Sequence, residues 1–385
     1  MADERTTGQP AQPGNVVVTV LFALLLLAPA VLALAGRAGV DADFIYHTEM
    51  RHPFHAPPPT SGALATGGWQ RDFERQIADA FPLRRQVIER YDFAKYAWLH
   101  DIASNHVIAG ADGWIFYRDE EGSYDDGTYD PTDTELAKLA DLYKSRADWC
   151  ARRGVVYVFA LVPNKSTVYA RFLPPRVRHV TPAAGERLIP LLRARGVRVA
   201  DLRDALTRAS LTGEVYSKGE THWNDAGAYV AYREIVGVLR SAGVRDTIVA
   251  KSIRSRLVWS DDADLDRLAG IASLVRNRVV TYEFPHHARR VSAQPYAHDE
   301  LGDLFLRDAY ERDDPHFPKA VVFGDSFTGA LRVFLAEDFR RTVVLQHDIR
   351  KGIQFDRAAV EAEKPTVVIQ ELIERSLVYS AEFEP

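Results

Sequence analysis

The sequence is poor in cysteine. Cys150 is the one thiol in 385 residues, so no internal disulfide can brace the fold and cysteine usage assigns no redox compartment. It also lacks an excess of either charge. Its 48 basic and 53 acidic residues are interspersed, with a formal net charge of -5. No basic stripe is left to neutralise phosphates, which argues against a nucleic-acid partner. No internal repeat is visible. Apolar residues, by contrast, are plentiful: 46% of the chain is hydrophobic, enough to fill one large core or two ordinary ones.

One stretch is apolar throughout. Val16 to Ala35, within "NVVVTVLFALLLLAPAVLALAG", has no charge over twenty residues, and a helix of that length crosses a hydrocarbon core of about 30 Å. Pro29 is tolerable in a transmembrane helix and costly in a water-soluble one. The expectation is a tail at 1–15 and an uncleaved transmembrane signal anchor at 16–36. A buried core helix is one alternative. A cleaved signal peptide is the other, since Ala33 and Ala35 before Gly36 form an A-x-A-like site. Arg5 before the span and Arg37 after it leave the orientation unset by charge. The three prolines and the glycines of "RHPFHAPPPTSGALATGG" then favour extended backbone, so 37–68 is expected to be a linker.

The main domain is expected over 69–385. "WQRDFERQIADAFPLRRQVIERYDFAKYAWL" has helical spacing divided at Pro82, and "GADGWIFYRDEEG" contains a short strand between turn signals. From Thr132 the pattern alternates. The amphipathic "TELAKLADLYKSRADWCARRG" leads to "VVYVFALVP", a β-branched and aromatic run of the kind a parallel sheet buries on both faces. Similar units follow to "TVVIQEL" near the end. The fold class is therefore α/β, a doubly wound parallel sheet flanked by helices, with ligands beyond the strand C-termini. Residues about 245 to 310 fit the alternation poorly and are expected to be an insertion packing over the site.

Two motifs carry the chemistry. In "KAVVFGDSFTGALRVFLAED", Ser326 falls at the seam between a buried strand and a helix, where free N–H groups and the helix dipole suit a developing oxyanion. Taken alone, the serine reads first as a helix cap. As a nucleophile it needs a base. "SKGETHWNDAGAYVAY" offers His222, with Glu220 two residues earlier on the same side of extended backbone and Asn224 as cap of the next helix. Asp225 and Asp325 are reserve acids, and His179, His316 and His347 reserve bases. Backbone N–H groups of Ser326 and Phe327, with the Asn164 side chain, are the oxyanion candidates. Lys165, Arg171 and Arg375 are candidate charged contacts for a ligand, and Trp114, Tyr117, Tyr169 and Trp223 candidate stacking surfaces.

"ETHW" followed by "GAYVAY", with a later "GDSF", resembles the AlgX and AlgJ group of SGNH-hydrolase-like proteins, which O-acetylate exported polysaccharides such as alginate. "GWIFY", "LVPNKSTVYARFLP" and "VVIQELIERSL" resemble stretches of the same family, and the likeness covers roughly residues 69 to 380. The chain ends soon afterwards without room for a carbohydrate-binding module, which makes the anchored AlgJ type the expectation. The resemblance implies an SGNH-hydrolase-like fold with Ser326 as nucleophile, His222 as base and Glu220 as orienting acid. At 220 the chain departs from the family, which has aspartate there, one methylene shorter. The resemblance also implies a polysaccharide substrate, no metal and no cofactor. It implies a periplasmic domain held by the inner membrane, and a membrane-bound O-acyltransferase partner supplying acetyl groups. A polysaccharide acetyl-esterase and a non-catalytic scaffold of the export complex are the alternatives.

Overall fold

In the computed structural model of the chain, residues 13–37, 39–118, 131–177, 182–244, 253–298, 304–347 and 355–377 are described. Helices α1 (Pro13–Leu32), α2 (Ala42–Glu49), α3 (Ser61–Ala65), α4 (Gly68–Asp79) and α5 (Arg84–Ala94) precede a small antiparallel pair, β1 (Val107–Ala109) and β2 (Ile115–Tyr117). The main domain begins α6 (Asp133–Ala151), β3 (Val156–Val162), α7 (Lys165–Val168), α8 (Ala184–Ala194), β4 (Arg198–Asp201), α9 (Arg203–Ala209) and α10 (Asp225–Ser241). A two-stranded ribbon, β5 (Arg254–Ser260) and β6 (Asn277–Glu283), encloses α11 (Asp264–Leu268). The chain continues through β7 (Ala288–His298), β8 (Leu304–Arg312), β9 (Lys319–Gly324), α12 (Thr328–Leu335), β10 (Arg341–Gln346), α13 (Arg357–Glu363) and β11 (Val367–Ile373).

The main sheet has the order β4-β3-β11-β9-β10-β8-β7. Its first five strands are parallel, and β8 and β7 extend the edge antiparallel. The sheet is thus mixed, and part of the expected insertion completes it. Strand β3 explains why helices cover both faces. Side chains alternate along a strand, so Tyr157, Phe159 and Leu161 enter one core, with Leu139 and Tyr143 of α6 and Leu188 and Leu192 of α8. Val158, Ala160 and Val162 enter the other, with Ile235 and Leu239 of α10 and Leu331 and Phe334 of α12. Helix α6 starts on a capping box, Thr132 Oγ1 accepting from Glu135 N–H at 3.3 Å and Glu135 Oε2 accepting from Thr132 N–H at 2.7 Å.

The N-terminal region differs from expectation in its middle. Of the stretch 37–68, read as a linker, residues 41–56 are packed: Phe44 and Ile45 of α2 are buried and α2 lies against α11. Arg51 holds the Asp79 carboxylate through two bonds of 2.6 and 2.8 Å, and Ala56 N–H donates to Gln76 Oε1 at 2.8 Å. Only from Pro57 onward is the segment largely exposed. In α1, the described side chains Val16, Val17, Val18, Leu21, Phe22, Leu24 and Leu27 are 48–66% exposed. The side chains at 13–15, 25, 26, 29 and 30 lie outside the described residues. Among the described residues no helix is long and apolar enough to cross a membrane.

Gly324 ends β9 where the chain turns into the site, and a Cβ there would overlap the Glu371 carboxylate and the Thr328 methyl. Gly237, on the exposed side of α10, has open space around it. Gly324→Ala is therefore expected to cost about 1–3 kcal/mol of overpacking, and Gly237→Ala to stabilise by about 0.5–1 kcal/mol. Urea unfolding monitored by circular dichroism reads both, and equal effects of one sign would contradict this packing.

Candidate active site

Ser326 lies on a tight turn between β9 and α12 and is exposed. It does not cap the helix, since no side-chain cap bond is made at the start of α12. The neighbouring Asp325 shapes the turn instead. Its Oδ1 accepts the Phe327 N–H at 2.9 Å and its Oδ2 accepts the Ile373 N–H at 2.8 Å, which ties the turn to the end of β11. The Asp325 N–H donates to Glu371 Oε2 at 3.2 Å. Burial, reinforced by the charge of Asp325, raises Glu371 well above an ordinary carboxylic acid, so the charged form of this carboxyl is disfavoured beside the turn.

The base arrives from the loop before α10. His222 Nε2 lies 2.7 Å from Ser326 Oγ, and its Nδ1 lies 2.7 Å from Glu220 Oε1. Asn224 caps α10, accepting from Ala226 and Gly227 N–H at 3.0 and 3.1 Å. Trp223 donates its indole N–H to the Phe327 carbonyl at 3.1 Å, so the loop and the nucleophile turn are bonded twice. Lys165 fixes the other end of the loop. Its ammonium donates to the carbonyls of Ile115, Lys218 and Glu220 at 2.7, 2.7 and 3.0 Å, which matches its three protons.

A residue not singled out in the sequence joins the cluster. Asp264, at the start of α11, accepts the Thr221 N–H at 2.8 Å and the Thr221 hydroxyl, and its own N–H donates to Glu220 Oε2 at 3.2 Å. Its Oδ2 is 3.8 Å from His222 Nδ1. Two carboxylates thus face one imidazole. Burial works to raise Glu220, but the hydrogen bond and charge of His222 hold it down at about 2. Burial and the charge of Glu220 push Asp264 up to about 6. For His222, burial favours the neutral ring, yet the Glu220 hydrogen bond and the two carboxylate charges outweigh it, so the imidazole sits above its usual value.

Glu220, His222 and Asp264 bring ligand atoms within 4.8 Å of one another. A cation there would have to displace the His222–Glu220 bond and the Thr221–Asp264 bonds, so the donors suit a proton relay better than a metal. The relay can do nucleophilic acyl chemistry: Nε2 takes the Ser326 proton, and the carboxylate stabilises the resulting imidazolium.

Several expected residues have other work. The Phe327 N–H is committed to Asp325 and its side chain is buried, so it is no oxyanion donor. The Ser326 N–H has no partner among the described residues and is available to an oxyanion. Asn164 Oδ1 accepts the Arg375 N–H at 3.1 Å at the strand-end rim. Lys165, 3% exposed, is the loop clamp and cannot meet a sugar carboxylate. Arg375, 9% exposed, lies over the rings of Phe327 and Tyr117 at 5.4 and 5.8 Å, and its charge opposes protonation of His222. Arg171 binds Ser210. Trp114, Tyr169 and Trp223 are buried packing residues, and Tyr117 alone of the four aromatics is partly exposed. Asp225 accepts the Tyr282 N–H at 2.8 Å, away from the imidazole's partners. His316 is exposed, and His347 is buried and pushed down to about 4 by that burial. His179 lies outside the described residues.

The family model of the SGNH hydrolase-like domain of the acetyltransferase AlgX matches residues 107–374. Probable alginate O-acetylase AlgJ of Pseudomonas aeruginosa is 27% identical over 188 residues, 48% of this chain and 45% of that protein. The chain thus spans about half the length of that relative. Probable alginate O-acetylase AlgJ of Pseudomonas putida is 29% identical over 351 residues, 82% of this chain and 86% of the relative. Among solved structures, the O-acetyltransferase domain of Pseudomonas putida AlgJ superposes with a TM-score of 0.50 at 20% identity, over 72% of this chain and 95% of that one. This last likeness concerns the fold.

Because His222 must be neutral to accept a proton, kcat/KM is expected to rise with pH through the raised imidazole value. Glu220→Gln removes the charge that stabilises the imidazolium. Its acid limb should move to lower pH while kcat falls by about 10²- to 10⁴-fold. A pH–rate profile with an activated acetyl ester measures both, and an acid limb moving to higher pH would contradict the geometry.

Proposed function

We propose, for a chain that belongs to the family of the SGNH hydrolase-like AlgX acetyltransferase domain, that it O-acetylates hydroxyl groups of an exported polysaccharide through an acetyl-serine intermediate. The observation that carries this reading is the continuous line Glu220–His222–Ser326, with both links at 2.7 Å. In the first half-reaction the Ser326 oxygen attacks the acetyl carbonyl as its proton passes to His222. The tetrahedral oxyanion faces the Ser326 N–H, and the imidazolium returns its proton to the leaving group. In the second half the neutral imidazole takes the proton of a sugar hydroxyl as its oxygen attacks the acetyl-enzyme, and the imidazolium returns that proton to the departing Ser326 oxygen as the ester to the sugar forms. Glutamate in place of the family's aspartate is accommodated by the Asp264 N–H, which accounts for the second carboxylate oxygen.

The apolar stretch 16–36 is read as a single-pass anchor in the bacterial inner membrane, with the domain in the periplasm. Acetyl-CoA is absent from that compartment, so a membrane-bound O-acyltransferase is the proposed acetyl donor, and anchoring raises the effective concentration of the two proteins. Alginate, named for the relatives, is the first polymer to test.

Ser326→Ala is expected to lower acetyl transfer from an activated ester to an oligosaccharide by about 10⁴- to 10⁶-fold, with unchanged circular dichroism and melting. Product analysis by mass spectrometry separates transfer from hydrolysis. Retained transfer in the variant would overturn the covalent reading, and release of acetate alone in the presence of acceptor would make the protein an esterase.

A further inference from the structure

Helix α5 and the turns at its two ends carry an apolar stripe that nothing among the described residues covers. Leu83, Val87, Tyr91 and Trp98 fall on one side at helical spacing and are 52, 58, 59 and 82% exposed. Over the fifteen positions from Leu83 to Trp98 the stripe runs about 22 Å. On α4, Phe73 and Ile77 repeat the pattern four residues apart, at 41 and 50% exposure. Single exposed apolar residues are ordinary on a soluble surface, whereas a contiguous stripe marks a contact.

Its position says what covers it. Gly36 and Gly39, where the chain leaves α1, line the same cavity of about 220 Å³ as Phe81, Leu83 and Gln86. Asp41 is already held by Arg85 at 3.4 Å, Arg84 pairs with Glu49, and α2 is seated on α11. Between the end of the apolar segment and the first residue bonded to the domain lie only residues 37–40, at most about 14 Å of extended chain. A bilayer holding α1 therefore meets the domain at the start of the α5 stripe. Arg90 is exposed between Val87 and Tyr91 with no ion-pair partner among the described residues, and can face anionic headgroups. Tyrosine and tryptophan, apolar rings with one polar edge, suit the interfacial layer.

We propose that α5 is a second membrane contact, lying along the bilayer surface with Val87, Tyr91 and Trp98 in the interface. This rests on the reading of 16–36 as an anchor. The contact turns a tethered domain into one of fixed orientation. Because α2 also packs on α11, which begins at Asp264, it sets the height of the Ser326 site above the lipid.

The test uses the full chain in vesicles of phosphatidylethanolamine and phosphatidylglycerol containing doxyl-labelled lipid. Cys150 is fully buried, so single labels with an environment-sensitive fluorophore can be placed through Leu24→Cys, Val87→Cys, Trp98→Cys and, as the control, Leu211→Cys, which replaces a leucine 70% exposed in the main domain. The expected result is a blue-shifted emission and severalfold quenching by the doxyl lipid at 24, 87 and 98, with none at 211. Quenching at 24 alone, with 87 and 98 open to aqueous iodide, would overturn the contact and keep the anchor. Shielding of 87 and 98 only after a second membrane protein is added would also overturn it, in favour of a protein partner. Quenching at 87 and 98 without 24 would support the contact and end the anchor reading, and quenching at none of them would end both.

Discussion

A single hydrogen bond, His222 Nε2 to Ser326 Oγ at 2.7 Å, joins groups 104 positions apart in the chain, and most of the fold can be understood as what makes that distance hold. The nucleophile's side is fixed by β9, whose last residue must be glycine to clear Glu371, and by Asp325, which bonds forward to Phe327 and across to Ile373. The base's side is fixed by the Asn224 cap, by Trp223 on the Phe327 carbonyl and by the Lys165 ammonium under the loop. Neither side relies on a flexible surface residue.

The charges around this bond are arranged in depth. Above, Glu220 is ionised and Asp264 is pushed up to about 6, so the pair does not place two full negative charges on one ring nitrogen at low pH. On the β11 side, burial raises Glu371 above the usual carboxylate range, and Glu374 accepts N–H groups of Gly185 at 2.9 Å and Asn164 at 3.4 Å. The segment 371–375 at the end of β11 is thus bonded to the nucleophile turn, to the end of β3 and to the start of α8. Strand order explains why: β11 lies between β3 and β9, and ligands of such sheets sit beyond the strand ends.

Much of this was legible in the sequence because it is local. The alternation of "VYVFALV" announces a strand buried on both faces, and "GDSF" after "AVVF" announces a turn into a helix. Glu220 and His222 share a side because they are two apart in extended chain. The pairing of Ser326 with His222 came from the need of a serine nucleophile for a base, reinforced by the family resemblance, since no spacing encodes a contact across 104 positions. Asp264 was not legible: it is one acid among several in "SDDADLD", and only the fold aims it at Thr221. The commitment of the Phe327 N–H to Asp325 is an Asx-turn and was within reach of local reasoning. Lys165 was not, because a lysine beside a strand end is ordinarily solvated, and its three carbonyl partners come from two other segments. The strands β7 and β8 were missed because an edge hairpin rich in arginine and polar residues lacks the apolar run of the central strands.

The central claim is that the hydroxyl at 326, activated by His222, carries the acetyl group. Rapid-quench mass spectrometry of the full chain with an activated acetyl ester tests it most directly. The account predicts one added acetyl group, mapping to the peptide that holds Ser326 and absent in His222→Ala. An acetyl group on any other residue, or one that forms as fast without the imidazole, would contradict it.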